Sequence, residues 1–466
     1  MTSFTSTRGA EAGPPPEPIA GGSGNPPRVP SSVLRRGLVV LAAGTSLTLA
    51  SPAMAAPGSL TVERAVELAI NNSPRILAAR DRLGGSEERT TSSARRMLPL
   101  VHLSEEWQQW NDSFSVGFGG TAFLAREQRT NTFVASVQQP LLGLIHLDDE
   151  HESDAARTEA GRAQIAAAEA DLRLNVETQF LRYFEALALK EIADASEREL
   201  GSEVEVARAR LASGVITRGD ELRIEVAVAN AHQQSLQAID QAQTARATLL
   251  MLIGFSAADA GVTLLEPREL LAAARNPPQG FDALLPQARA RRPEIVERLR
   301  LVDSADRQAS ARGYSLLPEV NAEGAYLRTD GQVFAPKNSA FVGVKAEWSI
   351  WEWGASEHLR RAALADAAAA RRDLEATERL IESDLAISLA RGDEARGAIV
   401  AAEKTIASAE EAFRETQAQV KAGAATTTDL LQAESQLTQA RLNLTRAQYD
   451  LALAHVAVKR AAGAGV

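Results

Sequence analysis

Two short stretches hold the side chains best placed to do chemistry. Gly214, Thr217 and Asp220 form one G-x-x-T-x-x-D run, and Gly423, Thr426 and Asp429 form another. A threonine three residues before an acid, ahead of an apolar helical pattern, spells a capping box. In it the hydroxyl accepts from a backbone amide of the first turn, and the acid accepts from the threonine amide. Glycine three residues earlier suits the end of a preceding helix. The same two aspartates also put charge at a turn. No nucleophile with a base beside it accompanies them, and the chain shows no Ser/His/Asp grouping, phosphate loop or metal cluster, so the reading is not that of an enzyme and calls for no cofactor. His146 and His151 flank an acidic LDDE run, but five residues apart they do not share a helix face, which favours a solvated helix start over a metal site.

The two runs are copies of each other. Gly214 and Gly423, Thr217 and Thr426, Asp220 and Asp429, and Leu222 and Leu431 all stand 209 positions apart, and the register holds to Gly254 and Gly463. Upstream, SPRIL at 73–77 matches RPEIV at 292–296 and LPLV at 98–101 matches LPEV at 317–320, offset by 219. QQPLLG at 138–143 matches SIWEWG at 349–354, offset by 211. The chain is a tandem duplication with small length changes. Its expected parts are a leader at 1–56, a first repeat at 57–256, a linker at 257–280 and a second repeat at 281–466.

Composition narrows the function classes. The 466 residues carry a formal net charge of −10, which argues against a nucleic-acid partner. No cysteine is present, so disulfides, cysteine metal sites and a lipid anchor on an N-terminal cysteine are excluded. Arg35 and Arg36, the apolar run from Gly37 to Ala50 and the small residues Ala53 and Ala55 around Met54 read as a secretory signal peptide.

Around the two turns the pattern is helical and long. Residues 154–211 contain no proline, a run on the order of 85 Å as a helix. Residues 355–420 repeat the pattern, with Ile399, Ile406, Phe413 and Val420 at seven-residue spacing. Beyond the second turn Leu430, Leu437, Leu444, Leu451 and Val458 form one row, and Ala433, Ala440, Ala447, Ala454 and Ala461 another. A strict seven-residue period implies left-handed supercoiling and knobs-into-holes packing. Shorter helices are expected at 74–96, 218–253, 293–312 and 427–462, and two of these laid end to end match one long helix.

Between short and long helices lie strands. In 341–350 Val342, Val344, Ala346, Trp348 and Ile350 face one way and Phe341, Gly343, Lys345, Glu347 and Ser349 the other. Strand 319–328 pairs with it, and the first repeat offers Val101, Leu103 and Trp107 opposite Phe133, Ala135 and Val137, with Glu105 out of place on the apolar face. Four such strands fit either a soluble sheet packed on helices or part of a transmembrane barrel, with Phe133, Val137, Val342, Val344, Trp348 and Ile350 toward lipid. Trp107, Tyr326, Trp348, Trp351 and Trp353 suit an interfacial belt. Four strands cannot close around a pore, and open edges are not tolerated in lipid. A membrane sheet therefore requires several chains, and three chains supply twelve strands.

The duplication, LTVERAVELAINNSP near residue 60, the LP-x-V openings, QPLLG and the paired G-x-x-T-x-x-D turns together resemble the TolC-type outer-membrane efflux protein family over most of residues 59–463. The resemblance implies a mainly α fold with a small β part. Long coiled-coil helices would form a trimeric α-barrel in the periplasm, joined to a shared 12-stranded transmembrane β-barrel in the outer membrane. It implies a homotrimer, a periplasmic adaptor protein at the turns and, through it, an inner-membrane transporter. The function implied is a passive exit duct for small toxic molecules or metal ions. A protein secretion conduit and a pore-free periplasmic coiled-coil scaffold remain as alternatives. On this footing Asp429 is a candidate gate residue, repeated three times around an axis, with Asp220 a lesser one. The family's second gate acid is replaced by Gln432, which weakens an acidic ring. Arg218 and Arg223 are candidates for holding the turns shut by pairing with acids on neighbouring helices. Gly214, Val215, Thr217, Gly423, Ala424 and Thr426 are candidate adaptor contacts. For both aspartates a purely structural capping role stands beside the gate.

Overall fold

The computed structural model describes residues 59–256 and 261–464. The signal-peptide reading of 1–56 lies outside the described residues. In chain order the elements are β1 Ser59–Leu60, α1 Val62–Asn72, α2 Pro74–Arg95, β2 Leu100–Gln109, β3 Phe114–Phe118, β4 Thr121–Pro140, α3 Gly143–Ala212, α4 Arg218–Leu252, β5 Thr263–Leu264, α5 Arg268–Ala274, α6 Phe281–Arg291, α7 Pro293–Tyr314, β6 Glu319–Gln332, β7 Asn338–Glu347, α8 Ala355–Lys421 and α9 Thr427–Ala461.

The helices stand in four columns. Helix α3, 70 residues and about 105 Å long, is flanked on one side by α2 and α4 and on the other by α7 and α9, which in turn lie against α8. The rows expected from the seven-residue period are where the columns meet. Ala433, Ala440, Ala447, Ala454 and Ala461 are all buried, with Leu430, Leu437, Leu451 and Val458 beside them. Leu437 and Ala440 close against Ala409 of α8, with Ile406 and Phe413 alongside. Small side chains in every second seam position let the helix axes approach closely.

Each short pair is joined head to tail at a glycine. After α4, Gly254 has φ +84°, and a Cβ there would lie 2.8 Å from Asn72 Cβ, just before α2. After α9, Gly463 has φ +71°, and a Cβ there would lie 2.9 Å from Arg291 Cβ, just before α7. Asn72 Nδ2 donates to the Ile253 carbonyl at 3.0 Å, and Arg292 Nη1 donates to the Arg460 carbonyl at 3.3 Å. The end of one helix is thus seated on the start of the next, whose first residue is Pro74 or Pro293. Arg460 reinforces the second joint by pairing with Asp171 and Glu294.

The stretch expected to be a linker is partly folded. Strand β5 pairs in parallel with β1, and α5 packs on a core formed by Leu181, Ala395, Tyr449, Ala452 and Val456. Helix α1 covers Val176, Phe180, Leu249 and Leu250.

The sheet runs in the order β2-β4-β6-β7, all antiparallel. Cross-strand partners share a face, so register sorts the side chains. Val101, Val137, Gly324 and Val342 form one row, and Leu103, Ala135, Tyr326 and Ala340 the next. The opposite face is mainly polar, with Gln138, Glu323, Ser136, Asn321 and Lys345, and it also takes Leu100, Val134, Leu327 and Phe341. The alternation is therefore continuous across four strands. Glu105, unplaced by the sequence, sits opposite Phe133 and accepts from Asn131 Nδ2 at 3.0 Å. Two expectations are corrected. A fifth strand, β3, pairs with β4 through the tight Gly119–Gly120 turn, because the apolar residues flanking that turn are strand-like on both sides. Strand β7 ends at Glu347, so Trp348 and Ile350 lie beyond it. Both are exposed, and Trp348 Nε1 donates to the Leu316 carbonyl at 3.2 Å. Among the described residues no helix is long and apolar enough to cross a membrane.

The joints give a direct test. Gly254→Ala and Gly463→Ala force a Cβ into occupied space at a positive φ, and each is expected to destabilise the fold by about 2 kcal/mol or more. Gly201→Ala, inside α3 with nothing within 4 Å of the added Cβ, is expected to stabilise by about 0.5–1 kcal/mol. Thermal unfolding followed by circular dichroism separates the two classes.

Candidate functional site

The two helical turns are built alike. Helix α3 ends with Gly214 at φ +73°, where Val215 N donates to the Arg210 carbonyl at 2.9 Å. Helix α8 ends with Gly423 at φ +76°, where Ala424 N donates to the Gln419 carbonyl at 2.8 Å. These are left-handed terminations that bend the chain back on itself. Three residues on, both capping boxes are complete. Thr217 N donates to Asp220 Oδ2 at 3.1 Å and Asp220 N to Thr217 Oγ1 at 3.2 Å. Thr426 N donates to Asp429 Oδ2 at 2.9 Å and Asp429 N to Thr426 Oγ1 at 3.2 Å. Each threonine hydroxyl lies 2.7 Å from the same carboxylate oxygen. These threonine bonds hold both carboxyls below the usual carboxylate range.

The copies differ in how that carboxylate is balanced. Arg223 Nη1 lies 3.0 Å from Asp220 Oδ1. Gln432 is its counterpart in the second copy, so among the described residues Asp429 has no ion pair. It is exposed at the turn. The second difference lies one position further. Glu221 is buried, and Arg218 of its own helix and Arg208 of α3 both reach it, with Arg208 Nε at 3.5 Å. Arg208 also pairs with Glu205 and Glu225. Leu430, also buried, takes the place of Glu221 in the second copy. The first hairpin adds a buried charge cluster to its apolar contacts, where the second has a buried leucine. Arg218 therefore pairs inside its own hairpin; it does not tie the turn to the other one.

Several contacts do join the hairpins, among them Gln417 with Glu203 and Ser196 with Glu434. Arg210 Nη1 donates to the Val420 carbonyl at the end of α8, at 3.4 Å, and Arg223 Nη1 donates to Thr428 Oγ1 at 3.4 Å. Leu431 packs onto Val204, Ala207 and Ile224. The sequence reading missed Arg208 and Arg210. Their place in the last turns of α3, where cations favour the helix C-terminus, was the available signal.

The remaining candidates are placed as follows. Gly214, Val215, Gly423 and Ala424 are exposed, Val215 at 69%. Thr217 and Thr426 are exposed, but their hydroxyls are committed to the caps. Val137, Val342 and Val344 are exposed on the apolar face, Val342 at 92%, while Phe133 is half-buried. Among the described residues no group of three His, Asp or Glu converges on a possible metal. His151 Nδ1 lies 3.3 Å from Ser93 Oγ, and His146 is beside Glu150. The arrangement can present small residues on two protruding turns, display one unbalanced carboxylate and tie two hairpins together.

The outer membrane efflux protein BepC of Brucella suis is 25% identical over 287 residues, covering 60% of this chain. The match spans 61% of that protein's length. The fold is shared with solved structures at low identity. For VceC of Vibrio cholerae the TM-score is 0.74 at 17% identity, over 87% of this chain and 96% of that one. For the MtrE outer membrane channel of Neisseria gonorrhoeae it is 0.71 at 17%, over 87% and 89%. The sequence model of the outer membrane efflux protein family matches residues 65–255 and 284–464, taking in both repeats and both turns, and the chain belongs to that family.

Proposed function

We propose that three copies of this chain form an exit duct of the outer membrane. The helical columns extend into the periplasm, and the duct passes small toxic molecules or metal ions delivered by an inner-membrane transporter through an adaptor protein. The observation that carries the reading is the sheet. One face is mostly apolar across all four strands, the other is mainly polar, and among the described residues β2 and β7 each have one edge without a partner strand. An apolar face of this kind fits lipid. Free edges in lipid leave backbone groups unsatisfied, and pairing β2 of one copy with β7 of the next removes them. Twelve strands then enclose a polar bore continuous with the helical wall. Transport in such a duct is passive.

At the far end the turns are the meeting point with the adaptor, and the same turns close the bore. Arg210 and Arg223 hold the two hairpins of each copy together, and Asp429 is repeated three times about the axis. Carboxylates in a ring favour cations.

Four outcomes follow from this arrangement. The Arg210→Ala/Arg223→Ala double variant raises single-channel conductance in planar bilayers; an unchanged conductance removes the two arginines from the closure. Asp429→Asn lowers cation preference more than Asp220→Asn, whose charge Arg223 already balances. The pH dependence has a definite sign. A carboxyl held below its ordinary value keeps its charge above about pH 4 and loses it only as pH falls through the lowered value. The stabilising caps therefore keep their full contribution above about pH 4 and lose it as pH falls through the lowered values. Finally, Ala424→Trp, at an exposed position without a left-handed backbone, abolishes export-dependent resistance in cells while the protein still runs as a trimer in mild detergent. Loss of the trimer would make that alanine purely structural.

A further inference from the structure

We infer that, at the end of the sheet away from the helices, neighbouring copies are fastened by an apolar clasp: strand β3 of one copy against the β6–β7 loop of the next. The inference rests on the shared-barrel reading above and adds a contact that the reading does not require.

The hairpin made by β3 and the first part of β4 rises past the last β2 partner, Gln109. Its side chains are strongly apolar. Phe114, Val116, Phe118 and Phe123 are all exposed, Phe118 at 80%, and Val116 is the direct cross-strand partner of Phe123. An exposed cluster of this size on a soluble-facing hairpin marks a contact surface. A second patch stands on the β6–β7 loop, where Val333 and Phe334 are exposed, Phe334 at 70%.

Topology says which surfaces can meet. At Arg126 strand β4 is paired on both edges at once, with Phe114 of β3 and with Gln332 of β6. Strand β6 occupies one edge, so β3 lies on the other, the edge that β2 uses lower down. Strand β3 is therefore the upward continuation of the β2 flank. The β6–β7 loop belongs to the opposite flank, above β7. The two patches also stand at one height, because Val333 N donates to the Ala125 carbonyl at 3.0 Å, level with the β3 pairing. Within one copy they are on opposite flanks of β4. When β2 of one copy pairs with β7 of the next, they come side by side. The occupant of each patch is thus the other patch, on a second copy of this chain. Burying several large apolar side chains there shields the last exposed edge of the sheet, where β2 and β7 no longer pair.

The absence of native cysteine makes the test direct. The double variant Phe118→Cys/Phe334→Cys is made in the full chain and treated with a short bismaleimide in native membranes. Covalent dimers and trimers are expected on a denaturing gel, and neither single variant should give them. A parallel Phe118→Asp/Phe334→Asp variant is expected to lower the temperature at which the detergent-solubilised trimer dissociates, with the helical circular dichroism unchanged. If the unaltered chain is trimeric but the double-cysteine variant yields only monomer and the aspartate variant dissociates at the wild-type temperature, the clasp is refuted and the shared barrel stands. If the unaltered chain is monomeric in mild detergent, the barrel reading falls and the clasp with it.

Discussion

A helix of 70 residues has almost all of its length far from either end, so its caps cannot hold it in place. Lateral packing must do so, and everything else in this molecule follows from that need. Helices α3 and α8 each run the full length of the helical part, and the shorter helices reach that length only as stacked pairs. The seams stay closed because alanine recurs at seven-residue spacing along α9, with leucine and valine beside it. The pairs stay in line because Gly254 and Gly463 let a helix end sit directly on the start of the next. A bulkier residue at either joint would tilt one helix away from α3 and open the seam above it.

Duplication set the frame, and divergence within it produced a division of labour at the turns. Both copies keep the left-handed glycine and the Thr/Asp cap, since the turn cannot be made without them. Around that common geometry the side chains diverge, among them Arg218 for Thr427, Glu221 for Leu430 and Arg223 for Gln432. These make the first hairpin a charge-locked unit and leave the second with an unbalanced carboxylate and an apolar shoulder. Arg223 serves both arrangements, pairing with Asp220 and reaching Thr428 across the gap. The capping role and the gating role weighed for Asp429 are therefore compatible: one carboxylate oxygen holds the turn while the charge remains displayed.

The sheet obeys the same economy. Register places most of the large apolar strand residues on one face, and Glu105 is accommodated there by Asn131. The aromatic residues just beyond β7, Trp351 and Trp353, make an edge-to-face contact with centroids 5.7 Å apart and stand exposed where sheet gives way to helix. Amphipathic rings of this kind favour a boundary between apolar and aqueous surroundings.

What the sequence by itself determined is everything that repeats or is local. The duplication, the helix ends at both turns, the seam rows and the two faces of the strands are periodic patterns or short-range bonds, legible within a few residues. Tertiary structure decided the rest. Arg210 reaches the Val420 carbonyl only because α3 and α8 end at the same height, and the partner of Arg218 proved to be on its own helix because Glu221 is buried there. The flank on which β3 sits depends on β6 already occupying the other edge of β4. The stretch between the repeats became strand and helix because β1 and the seam at Tyr449 offered it surfaces to cover. In each case the deciding quantity is the relative position of segments far apart in the chain. That position is set by packing, and no local pattern encodes it.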